Sequence, residues 1–397
     1  MEARSSQTAN GTLPSAAQFA RRRLILKDSL KFLTLTAVAV LIGGITTFLF
    51  RSFELRREEL AKSWAKTGQA ALRQGRPADA VTALRTSLSY HPDDRENELA
   101  LAEALAANGR TNEAENYFLN LWQASPGDGP INLQLARLER TRGKDAQKTI
   151  EYYRAAVFGT WPGDAPVRRR DTRLELSNYL IELGQVQAAR AELLLAASNN
   201  PDAPTQLAIG SLLEAANDPK DALMAYRNAA EDHDDREVGQ AKAGELCYRM
   251  GDYGCANDLL EKALRKTAWT AEQKIYMGKL NSNAARLQEL LVNQDVPPAI
   301  RTAHLLDDAH IAQDRLKNCM TQASDSTPYA QLQTQWKDLD SAKNRAALRH
   351  DEELQDQYRS LIFDTESATA AACGTPTGDD ALLLYLRDHP ATHFGAQ

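Results

Sequence analysis

The chain has 397 residues, room for two or three domains, and its 43% hydrophobic and 25% charged residues form an ordinary globular balance that excludes wholesale disorder. The net charge of −6 conceals an asymmetry: residues 1–31 hold six bases (Arg4, Arg21, Arg22, Arg23, Lys27, Lys31) against two acids, leaving about −10 for the rest. An acidic body of this kind excludes nucleic acid as the principal ligand.

Residues 1–20 are small and polar and predict a disordered tail, in which the N-G-T at Asn10 is a glycosylation pattern without meaning in a bacterial cytoplasm. Phe32 to Phe50, FLTLTAVAVLIGGITTFLF, follows with 19 uncharged residues. As a helix this run is about 28 Å long, against about 30 Å of bilayer hydrocarbon, and predicts one transmembrane helix. It is too long for a signal peptide, and RSFELRREE after it holds no small-residue cleavage site; the A-x-A of Ala37 and Ala39 lies inside the run. Arg21, Arg22, Arg23, Lys27 and Lys31 on one flank outnumber Arg51, Arg56, Arg57 and Lys62 on the other. The positive-inside rule therefore places residues 1–31 in the cytoplasm as a basic tail and the remainder on the outer, periplasmic side of a bacterial inner membrane. No proline or turn cluster interrupts Arg51 to Gln74, so the membrane helix is expected to run on into the next one as a stiff stalk.

From Ala61 to Thr270 one arrangement recurs six times. Paired small residues lie at Gly68 and Ala80, Ala102 and Ala114, Ala136 and Thr149, Ser177 and Ala189, Gly210 and Ala222, Gly244 and Ala256. Small residues at matching places let two helices approach closely, and Leu84, Phe118, Tyr153, Leu193, Tyr226 and Leu260, four positions after the second small one, fill the space beside them. Gly75, Gly109, Gly143, Gly184 and Gly251, with Asn217 as substitute, stand where the first helix must end in a left-handed conformation. Pro92, Pro126, Pro162 and Pro201 close the second helix of the first four units. A longer link, WPGDAPVRRR at 161–170, separates the third and fourth units and is expected to be a surface loop.

These units resemble the tetratricopeptide repeat (TPR) family, with Trp64, Gly68, Gly75, Ala80, Leu84, Ser87 and Pro92 at the family's spacing. The resemblance implies an all-α helical solenoid over residues 61–270, behind the transmembrane helix at 32–50, and a protein or peptide ligand. In the family the first helix of each unit lines a concave groove. The resemblance places Ala65, Leu99, Leu133, Leu174, Leu207 and Ala241 there, with Gln69, Glu103, Arg137, Asn178, Ser211 and Glu245 as a polar row beside them. The four leucines either form an apolar strip for a partner or pack against neighbouring helices. Of the Lys and Asn clamp that some relatives use on a C-terminal carboxylate, only Asn178 is present.

After Thr270 the period fades into helical stretches at Ala271–Leu291, Pro298–Gln322, Tyr329–Arg349 and Asp351–Cys373, with breaks at Pro297, Pro298 and SDSTP at 324–328. A short ALLLYLRDH helix follows CGTPTGDD. Residues 271–397 are expected to be degenerate repeats or a helical cap, since a solenoid must hide its apolar end.

Cys247, Cys255, Cys319 and Cys373 include no CxxC pair and have no histidine at zinc spacing, so no metal is expected. They fit either two disulfides, Cys247 with Cys255 bridging the helices of the sixth unit, or four small buried hydrophobes. No nucleotide, hydrolase, zincin or calcium motif occurs, and the chain is expected to be no enzyme, without cofactor or small-molecule substrate. HLLDDAH at 304–310 puts His304 with Asp308 and Asp307 with His310 on two faces, which predicts a solvated helix surface; Arg168 to Arg170 predict a solvated loop. The resulting expectation is a membrane-tethered interaction scaffold. The alternatives are a chaperone-like accessory factor of an envelope assembly or translocation complex, by analogy with membrane-tethered relatives, and an enzyme within 271–397.

Overall fold

A computed structural model describes residues 16–198, 201–265, 269–290, 296–322, 327–341 and 345–390. Most of the expected tail, with Asn10, and most of the expected break at 324–328 lie outside the described residues. Among those described, the chain is all-α, with eighteen helices and one isolated bridge between Asp128 and Thr160. It divides into two compact units, Met1–Gly163 and Asp164–Gln397. The boundary falls at the long link, inside the span that the periodicity treats as one array.

The first unit holds three helix pairs: α1 (Ala16–Arg73) with α2 (Pro77–Tyr90), α3 (Arg95–Ala107) with α4 (Thr111–Ala124), and α5 (Gly129–Arg142) with α6 (Ala146–Phe158). The small residues do what their spacing implies. A Cβ added at Gly68 would lie 2.5 Å from Cγ of Leu84, so only glycine lets α1 and α2 come this close. Ala80, Leu84, Ala102, Ala114 and Phe118 are completely buried. The turn after α1 is taken by Gly75 at φ +68°, a conformation costly for any side chain bearing a Cβ. Asp94, Asp128 and Asp145 cap α3, α5 and α6 by accepting from the backbone N–H of Asn97, Ile131 and Lys148. α1 runs unbroken from the apolar segment into the first pair. Every large apolar side chain from Phe32 to Phe50 is more than half exposed, and this is one stretch long and apolar enough to cross a membrane.

The second unit continues with α7 (Ala165–Glu182), α8 (Val186–Ala197), α9 (Ala203–Ala215), α10 (Pro219–Ala229), α11 (Arg236–Arg249) and α12 (Tyr253–Leu264). Asn217, at φ +54°, takes the left-handed turn before α10 that glycine takes elsewhere. Six more helices follow: α13 (Ala271–Glu289), α14 (Pro298–Gln322), α15 (Thr327–Ser341), α16 (Arg345–Leu348), α17 (Glu352–Cys373) and α18 (Gly378–Asp388). Of the stretch expected as a helix at Tyr329–Arg349, the described residues lie in α15 and α16 and the turn after α16, and 342–344 lie outside the described residues. These helices share one hydrophobic core with the repeats: Leu260, Leu287, Leu305, Trp336, Tyr358 and Leu383 belong to the same buried cluster. Tyr253 Oη donates to the carbonyl of His389 at 2.8 Å, and the Tyr248 and Tyr385 rings lie 5.5 Å apart, so α18 closes against the last repeat pair.

The link at 161–170 differs from a plain surface loop. In the first unit, Trp161 Nε1 donates to the Ala156 carbonyl at 2.8 Å, and Thr160 exchanges backbone hydrogen bonds with Gly127 and Gly129. Asp164 then caps α7, so Arg168 to Arg170 lie in its opening turns rather than in a loop.

Candidate functional site

In the first unit the expected groove residues come from α1, α3 and α5. Leu99 is half-buried and packs on the core, while Leu133 is only 9% exposed. Leu133 is therefore buried on α5 and exposes too little area to form part of an open apolar strip. The polar row is better placed. Gln134 Nε2 donates to Glu103 Oε1 at 2.7 Å, joining α5 to α3. Burial raises the Glu103 carboxyl above its ordinary range, against the opposing pull of the Gln134 hydrogen bond and the Arg137 charge. Arg137 is exposed and Gln69 half-buried.

In the second unit Leu174 and Leu207 are half-buried against the core, Ala241 is buried, and Asn178 donates to Glu182 at 3.2 Å on its own helix. The site is clearest around Leu207. α9 contributes Leu207, Ser211 and Glu214, and α11 contributes Val238, Lys242, Glu245 and Arg249, each set repeating at three- and four-residue intervals that keep it on one helix face. With Tyr226 behind and Tyr276 of α13 at the rim, they line a recess of about 460 Å³. Leu207, Ser211 and Glu245 were expected from the repeat register. Glu214, Lys242, Arg249 and Tyr276 were not; the signal for the first three was their place one turn before or after an expected residue on the same helix face.

The recess is electrostatically balanced. Glu214 accepts from Tyr226 Oη at 2.5 Å and pairs with Arg249, while Lys242 lies 3.4 Å from Glu245. Burial and the Glu214 hydrogen bond push the Tyr226 phenol well above its ordinary range, so it stays a neutral donor that orients the carboxylate. Arg249 is 58% exposed and Tyr276 52%, so a cation and an aromatic face are both open to a ligand. Such a surface offers donors, acceptors and apolar area to an extended peptide. Among the described residues no group of three or more His, Cys, Asp or Glu is placed to hold a metal.

Cys247 and Cys255 are joined as a disulfide with Cα atoms 5.8 Å apart, linking α11 to α12, and Cys319 is joined to Cys373 with Cα atoms 5.6 Å apart, linking α14 to α17. HLLDDAH at 304–310 is not a uniformly solvated surface. Asp307 and His310 face out, but Asp308 is 3% exposed with Oδ1 lacking a hydrogen bond, because α14 turns that face into the core. Burial pushes the Asp308 carboxyl up to about 8, against the opposing Arg286 charge.

The tetratricopeptide repeat family model matches residues 66–129. No curated protein matches the sequence. Among solved structures, PilF of Pseudomonas aeruginosa is similar at 14% identity over 56% of this chain and 99% of its own, with a TM-score of 0.41. PilW, a widely conserved type IV pilus biogenesis factor, is similar at 14% identity over 55% and 98%, with a TM-score of 0.40. YrrB, a TPR protein with an unusual peptide-binding site, is similar at 14% identity over 50% and 100%, with a TM-score of 0.37.

Proposed function

From the premise that this is a tetratricopeptide-repeat protein, we propose that it is a membrane-tethered scaffold holding an extended segment of a partner protein. The observation that carries this is the recess between α9, α11 and α13, whose exposed Arg249 and Tyr276 stand beside the apolar Leu207 and Val238. Such a surface suits a peptide that supplies one apolar or aromatic anchor and one acidic side chain. The experiment is recovery of co-purifying protein from detergent extracts of cells expressing the full chain, for wild type and for Tyr276→Ala with Arg249→Ala. Both side chains are largely exposed, so stability should change by no more than the ~0.5 kcal/mol per site of ordinary surface substitutions. Partner recovery should fall roughly tenfold, the loss of about 1.4 kcal/mol expected when an interface anchor is truncated. Unchanged recovery with unchanged stability would move the binding surface elsewhere, first to the Glu103, Gln134 and Arg137 cluster of the first unit.

The tether is the apolar segment Phe32–Phe50, which in water would expose eleven large apolar side chains to solvent, against the hydrophobic effect. The reading places residues 1–31 in the cytoplasm of a bacterium and the repeats in the periplasm. Its support is the excess of bases before the segment and the pairing of all four cysteines, which suits an oxidising compartment. A reporter active only in the periplasm, fused after Gln397, should be active; activity of a cytoplasmic reporter there would reverse the orientation.

A further inference from the structure

The apolar segment ends at Phe50, and the next two turns of α1 carry charged groups on one face in a definite order. Arg51, Glu54, Leu55 and Glu58 stand at intervals of three, four and seven residues and so share that face. Together with Phe50, Arg57, Tyr90 and His91 they line a recess of about 350 Å³. Its far wall comes from the end of α2 and is fixed by Arg57, whose Nη2 donates to the Tyr90 carbonyl at 2.8 Å. Arg57 also lies 3.3 Å from Glu54, and Lys62 lies 2.6 Å from Glu58. Arg51 is exposed, and among the described residues its side chain makes no ion pair or hydrogen bond.

The axial positions decide what can reach this recess. At 1.5 Å per residue, Arg51 lies about 1.5 Å beyond Phe50, the end of the uncharged run, Glu54 about 6 Å and Glu58 about 12 Å. The polar layer of a bilayer is about 5–7 Å thick on each side. Going outward from the hydrocarbon, the helix face thus presents a free cation at the inner edge of that layer and carboxylates at its outer edge and just beyond. A phospholipid whose phosphate bears a primary amine presents the opposite charges in the same order, phosphate below and ammonium above. Each carboxylate has only one cationic partner and about four acceptor positions, so both retain capacity for ammonium N–H donors. A choline group has no N–H to offer, and a head group of net negative charge would meet two carboxylates of like sign.

Resting on the tether reading above, we propose that this recess binds the head group of an ethanolamine phospholipid, with the phosphate on Arg51 and the ammonium between Glu54 and Glu58. The chemistry recognised is a phosphate next to a primary ammonium, and the lipid supplies it where the helix leaves the bilayer. This contact would seat the end of α2 against the head-group layer.

The experiment uses the full chain in nanodiscs of equal ethanolamine, choline and phosphatidylglycerol phospholipid, with retained lipid counted by native mass spectrometry after transfer to detergent. Wild type should retain the ethanolamine lipid over the choline lipid roughly fivefold, the measure of one net hydrogen bond. Glu54→Gln with Glu58→Gln should abolish the preference, and Arg51→Gln should lower retention of both lipids. Equal retention by wild type, an undiminished preference in the double variant, or preference for a phosphatidylglycerol lipid would each overturn the proposal. Displacement by soluble glycerophosphoethanolamine as effective as that by the lipid would reassign the site to a free metabolite and overturn the lipid claim. Alkaline carbonate extraction separates the two readings. Release of the wild-type chain from membranes would defeat the tether itself, whereas a chain that stays embedded without head-group preference defeats only this inference.

Discussion

Gly210 shows how far a single residue decides the packing. A Cβ there would lie 2.5 Å from Cε1 of Tyr226, whose hydroxyl holds Glu214 in the recess. Gly210→Ala should therefore destabilise the chain by about 1–3 kcal/mol in urea unfolding, through a ring that cannot move without losing its hydrogen bond. This position was legible in the sequence because a close helix crossing admits only small residues, and the requirement repeats every unit. Asp308 was not legible: which face of α14 turns inward depends on α17 and α18, which no local pattern specifies. Burial raises Asp308, and burial with the Asp380 charge raises Glu366, both to about 8, far above their ordinary 3.8 and 4.5. Their neighbours are mixed, with Arg286, Asp307 and Asp379 acting on Asp308, and Arg315 and Asp380 on Glu366. With folded values above unfolded ones, the stability these protonated acids contribute is fully present below the ordinary carboxylate range and is lost as pH rises through about 8. The melting temperature should fall between pH 6 and pH 9, and Asp308→Asn with Glu366→Gln should flatten the profile; a wild-type melt independent of pH would show that neither acid is held neutral.

At the level of helices, ends were readable wherever a proline, a left-handed turn or a capping carboxylate marks them. α14 runs from Pro298 to Gln322 as expected, and α13 opens with a Thr270 and Gln273 capping box. The covalent links between helices were less legible, since four cysteines allow three pairings and spacing does not choose among them. The structure closes a short loop with Cys247 and Cys255, eight residues apart, and a long one with Cys319 and Cys373, 54 apart. Chain entropy assigns the long loop about 4 kcal/mol and the short one about 2.5 kcal/mol. Cys319→Ala with Cys373→Ala should consequently lower stability more than Cys247→Ala with Cys255→Ala in denaturant unfolding under oxidising conditions. The apolar element makes a prediction of its own: deleting residues 1–50 should yield a soluble, helical protein, and membrane association of that fragment at high salt would reveal a second anchor.

For the whole molecule, the period was plain but the extent of the core was not. The sequence register stops at Thr270, whereas the buried cluster of the second unit continues through α18. The reason is that α13 to α18 meet the repeats with side chains that follow no common spacing, such as Tyr385 against Tyr248. Removing residues 271–397 would bare Tyr253, Leu260 and Ala263, all now buried, so a 51–270 fragment should melt lower and self-associate in sedimentation velocity. α1 has a different kind of consequence. Because a single helix carries both the apolar segment and Gly68, the proposed tether gears the azimuth of the first repeat pair about the helix axis to its height: each residue added between Arg51 and Leu60 turns the pair by about 100° and lifts it by about 1.5 Å. Two inserted residues would swing it to nearly the opposite bearing while barely raising it, and seven would raise it by about 10 Å while returning it almost to its starting bearing. The proposed tether would thus have a compass heading written into the length of one helix.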